Sequence, residues 1–99
     1  METWGALLSR YRKERGMSVY ALAKATGIAH PNLGAMEAGG RGVPRPESVR
    51  RVADGLGLRG EERAAFFEAV IAIVTQPYRD AAKQPAKVIR WVRVEEEVA

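Results

Sequence analysis

The side chains able to do covalent chemistry are few. The chain holds one histidine, His30, and no cysteine. A thiolate nucleophile, a disulfide and a zinc set built on cysteine or several histidines are therefore excluded. Ser9, Ser18 and Ser48 have no histidine and aspartate partners at suggestive spacing, and no GxxxxGK phosphate loop occurs. These absences point away from an enzyme, and neither a metal nor a cofactor is expected. Charge is the chemistry that remains. Residues 1–58 carry nine Lys and Arg against five Asp and Glu, whereas residues 59–99 carry seven of each. The whole net charge of +4 therefore sits in the first part of the chain. A basic surface confined to part of a small protein suits a polyanionic partner, and nucleic acid is the commonest one.

The stretch that must position this charge is "SVYALAKATGIAHPNLGAME", Ser18 to Glu37, in which two short helical runs are split at Thr26, Gly27 and Ile28. Two helices hinged at a glycine are the usual frame of a DNA reader. The second run is nearly free of charge and offers only His30, Pro31, Asn32, Gly34 and Ala35 outward.

The remaining elements follow from apolar spacing. Thr3 caps a first helix running to about Arg15, with Trp4, Leu7, Leu8 and Tyr11 as its apolar stripe. Ser18 caps the second, which buries Leu22, Ala23 and Thr26 and closes at Gly27. Pro31 fits only a first turn, so the third helix starts near Ala29 or His30, with Leu33 and Met36 inward. The loop "AGGRGVPRP" leads to a fourth helix from Pro46 with Val49, Val52, Ala53 and Leu56 at helical spacing. Arg50 and Arg51 on it face solvent or pair with Glu47 or Asp54. A fifth helix, Glu61 to about Thr75, carries Phe66, Phe67, Val70, Ile71 and Val74, more apolar surface than a peripheral helix needs. That face is expected to wrap deeply onto the first and fourth helices and in part to be covered by a partner.

Beyond Pro77 the tail "AKVIRWVRVEEEVA" fits two periods. Its Val, Ile and Trp content favours a strand, with Ile89 and Trp91 on one face and Val88, Val92 and Val94 on the other. Helical spacing also works, through Val88, Trp91, Glu95 and Val98. A lone strand needs an edge to pair with, and the same strand of a second chain would supply one. No run approaches the roughly 20 apolar residues of a membrane span, and the N-terminus does not look like a signal peptide. Without cysteines, a reducing cytoplasm is the default location.

From about Leu7 to Phe66 the chain resembles the helix-turn-helix domains of phage repressors and Cro proteins, the Xre-type family. The resemblance is carried by Tyr11-Arg12, by "GMS" at Gly16 to Ser18, by Leu22-Ala23 and by "TGIA" at Thr26 to Ala29. It continues through Leu33 to Glu37, Gly39, Arg41, Pro44 and the run "SVRRVADGLGLRGEERAAF". It implies an all-α, five-helix lambda-repressor-like domain over residues 1–76. Residues 77–99 form a C-terminal extension, read as a β-strand dimerisation arm.

The resemblance further implies that Arg12 and Glu37 pair structurally, tying the first helix to the third. Its base-reading positions fall on Ala29, His30, Pro31, Asn32 and Ala35. Asn32 can both donate to and accept from an adenine edge, and His30 can reach a guanine acceptor or a phosphate. Val19 stands where the family often has a phosphate-binding Gln. Lys24, His30, Arg41 and Arg45 are the expected phosphate contacts. These features together imply a transcriptional regulator, expected to repress as a homodimer on a palindromic operator. Phe66, Phe67, Val70, Ile71 and Val74, with Val88, Ile89, Trp91 and Val92, are its candidate interface. Two other readings stand beside it: a protein-interaction module on the same scaffold, which the bland "HPNLGA" surface and the apolar fifth helix suit, or an antitoxin whose C-terminal segment covers a toxin, which the chain's length suits.

Overall fold

The structure, a computed structural model, describes residues 3–39, 43–76 and 86–98. Its elements are α1 (Trp4–Glu14), α2 (Val19–Thr26), α3 (His30–Glu37), α4 (Pro46–Leu56), α5 (Gly60–Thr75) and α6 (Ala86–Val98). Thr3 Oγ1 accepts from the Ala6 N–H at the start of α1, and Ser18 Oγ accepts from the Ala21 N–H at the start of α2. Each hydroxyl satisfies an amide that has no partner within its helix. Neither α3 nor α4 has a side-chain cap, and each begins with a proline in its first turn.

One core serves all six helices. Leu8, Leu22, Leu33, Val49, Val52, Phe66 and Val70 are buried at its centre, and α6 adds Trp91 and Val94 to the same cluster. α1 lies close against α3. A Cβ at Gly5 would stand 2.4 Å from the Met36 carbonyl oxygen and 2.7 Å from that of Glu37, so only glycine allows this approach.

The C-terminal segment corrects the expectation of a strand: residues 86–98 form helix α6, and no strand occurs among the described residues. The physical reason is the available partner surface. Val88, Trp91 and Val94, three residues apart, are all buried on one side, where α6 packs chiefly on α5 and also on α4. Alternation would have put Ile89 beside Trp91, but Ile89 is 42% exposed while Trp91 is fully buried. A helix satisfies its own backbone hydrogen bonds and needs no second chain, so burial on α5 outweighs the β-propensity of valine, isoleucine and tryptophan. Among the described residues no helix is long and apolar enough to cross a membrane.

Candidate nucleic-acid interface

The turn between α2 and α3 is fixed by one side chain and one backbone conformation. The buried Thr26 hydroxyl donates to the Leu22 carbonyl at 2.8 Å and accepts from the Ile28 N–H at 3.1 Å. Gly27 between them is left-handed at φ 73°, a conformation that costs other residues roughly 1–2 kcal/mol.

Leu33 is the one fully buried side chain of α3. The far end of the helix is held by Arg12. The Arg12 guanidinium donates from Nε to Glu37 Oε2 at 2.8 Å and from Nη2 to Oε1 at 2.9 Å. Its Nη1 donates to the Met17 carbonyl at 2.8 Å. This two-pronged geometry is the strong form of the ion pair. Hydrogen bonding to the Glu37 carboxylate raises the Arg12 pKa above its ordinary value, burial opposes that, and the charge of Glu37 adds to the rise. Both groups are mostly shielded from water, so Arg12 braces α3 from within and is not a surface cation.

The opposite side of α3 is open. Ala29, Pro31 and Asn32 are exposed, and His30 and Ala35 are half-buried. The His30 ring stacks on Tyr20 of α2, with ring centroids 4.0 Å apart and planes 13° from parallel. Tyr20 is 72% exposed and is a further candidate of this face, absent from the family's base-reading positions. The available signal was its place in α2 off the buried positions Leu22 and Thr26, where an aromatic has no core to fill. Val19 is half-buried against the core rather than projecting as a long polar reader.

Lys24 and Arg45 are exposed on either side of α3 in the chain and form no ion pair among the described residues. Other arginines do. Arg50 pairs with Glu97, Arg63 with Asp54 and Arg90 with Glu47. Arg41 lies outside the described residues. Beside α3 is a cavity of about 400 Å³. It is lined by Asn32 and Met36 of α3, Val43 to Arg45 of the connector, Ser48 of α4 and Lys87 of α6. The Trp91 indole N–H donates to the Pro44 carbonyl at 2.6 Å, fastening this connector to α6.

The apolar residues considered for a dimer surface lie mostly inside the chain. Phe66, Phe67, Val70, Ile71 and Val74 are buried in the shared core, as are Val88 and Trp91. Ile89 faces outward and Val92 is half-buried. The excess apolar surface of α5 is accounted for by α6.

A family model described as a helix-turn-helix domain matches residues 4–66. Among curated proteins, the HTH-type transcriptional repressor RghR of Bacillus subtilis (strain 168) is 33% identical over 73 residues. That alignment covers 71% of this chain and 54% of the relative, so the chain spans about half the relative's length. No solved structure matches the chain.

Proposed function

The chain belongs to this helix-turn-helix family, and from that premise we propose that it is a DNA-binding transcriptional regulator of the cytoplasm, a repressor acting as a homodimer on a palindromic operator. The observation that carries the reading is the open face of α3. It presents Asn32 and the stacked His30, and Arg45 lines the same cavity as Asn32; Arg45 and the exposed Lys24 form no ion pair among the described residues. Residues 1–76 then hold the DNA-contacting unit, and residues 77–99 extend it.

In this reading α3 enters the major groove, whose width of roughly 12 Å admits one helix. Asn32 addresses an adenine edge, Ala35 offers apolar contact to a thymine methyl, and Lys24 and Arg45 meet phosphates. The Tyr20–His30 stack holds the imidazole at the start of α3, where it meets a phosphate or a guanine. So sparse a set reads few bases per half-site. Two copies in successive major grooves, about 34 Å apart, double the contacts, and DNA shape supplies further discrimination. The relative's printed name supports repression as the sign of regulation.

Selection from a random duplex pool, followed by affinity measured against salt, tests the reading. A palindromic motif should emerge, with the logarithm of affinity falling by about 0.9 per phosphate contact per decade of salt. Sedimentation should give a dimer on the selected site. No enrichment together with salt-insensitive behaviour would overturn DNA binding and favour a protein-interaction module instead.

A further inference from the structure

We propose that α6 belongs to the nucleic-acid face, with Lys87 supplying a phosphate contact beside Arg45. The proposal rests on reading the open side of α3 as the DNA-contacting surface. It adds a residue from outside the stretch 4–66 that the family model matches.

Three observations converge on Lys87. It lines the same cavity as Asn32 and Arg45, although it is more than 40 residues from either in the chain. Trp91 seats this part of α6 against the connector. Lys87 and Trp91 are four residues apart and so share a side of α6, and the buried Trp91 N–H is bonded to Pro44, the residue before Arg45. The charge around it is also left positive. Glu47, the carboxylate at the start of α4, is taken by Arg90, and Glu97 is taken by Arg50. Lys87 and Arg45 have no carboxylate partner among the described residues. Two unneutralised cations on one concave surface, next to a helix that offers base-reading groups, suit a polyanion's backbone.

The chemistry of lysine says which part of the DNA it meets. An ammonium is a compact point charge on a flexible stem and lacks the rigid fork that arginine offers to a guanine edge. Lys87 therefore contributes grip that is the same for every sequence, while Asn32 contributes selectivity.

The test measures binding of the full chain to a short labelled duplex of mixed sequence and to any selected operator, across a range of salt. Lys87→Gln should lower the salt slope by about 0.9, as Arg45→Gln should, which is roughly an eightfold loss at ~0.1 M relative to 1 M salt. The loss should be equal on both duplexes, and Lys87→Arg should restore it. Arg59→Gln, at the start of α5 and outside the cavity, removes the same charge and should leave the slope unchanged. If Lys87→Gln behaves like Arg59→Gln while Arg45→Gln loses the slope, the role of α6 is overturned and the DNA reading stands. If the unaltered chain shows no salt-dependent binding, both fall together.

Discussion

At the scale of single residues, the pair that holds α3 is distinct from the groups α3 presents. Arg12 and Glu37 are shielded and doubly bonded, so removing one partner strands the other's charge. Glu37→Gln should cost on the order of 3 kcal/mol, the low end for breaking a buried pair, read as a fall in the urea midpoint. Replacing both residues by apolar ones of similar size should cost less than Glu37→Gln alone, because no orphan charge remains. A single variant as stable as the unaltered chain would remove Arg12–Glu37 from the list of stabilising contacts. The pH sign follows from the raised Arg12 pKa. Its contribution is fully present below the ordinary arginine value and is lost only as pH climbs through the raised one, in strong alkali. Arg12 therefore brings no pH dependence near neutrality.

Elements show where sequence and structure part. α1 to α5 are legible because apolar residues three and four apart mark each helix, hydroxyl caps start α1 and α2, prolines start α3 and α4, and glycines close α2 and α4. The tail is not, because Val88, Ile89, Trp91 and Val92 satisfy both periods, and the choice is made by the uncovered side of α5, a surface that exists only after folding. Part of the site was hidden for the same reason. Asn32 and His30 stand out within one helix, but the Tyr20–His30 stack depends on how α2 meets α3. The place of Lys87 depends on α6 returning to the connector after α3. That return is held by the Trp91–Pro44 hydrogen bond. Trp91→Phe keeps an aromatic ring and strips the donor, leaving a buried carbonyl without its partner. It should destabilise by about 1–3 kcal/mol and weaken DNA binding through Arg45. Unchanged values in both urea unfolding and DNA titration would show that the bond does neither job.

For the molecule as a whole, the extension cannot be set apart from the domain it follows. Val88, Trp91 and Val94 are buried to within 6% of their surface, and burying such side chains contributes about 1.5–3 kcal/mol each. Their sum is comparable to the whole stability of a small protein, about 5–15 kcal/mol. Their loss would also uncover Phe67 of α5, whose ring lies 6.5 Å from that of Trp91. A chain ending at Gln76 should lose its cooperative thermal transition or self-associate through the bared α5 face, as followed by circular dichroism and sedimentation. A monomer melting within a few degrees of the full chain would show α6 to be dispensable.

The Trp91–Pro44 bond spans 47 residues, and its donor lies in the last helix. A chain emerging from the ribosome makes α1 to α5 before α6, and the shared core waits for Trp91 and Val94. During that interval the connector after α3 has no indole to hold it, and Arg45 stands without its counterpart Lys87. α3 is thus translated early but set in its final surroundings late. A nascent or prematurely terminated chain would display α3 with less than its full grip on phosphate. If Lys87 and Arg45 grip phosphate as proposed, a chain without α6 should compete poorly for the same DNA.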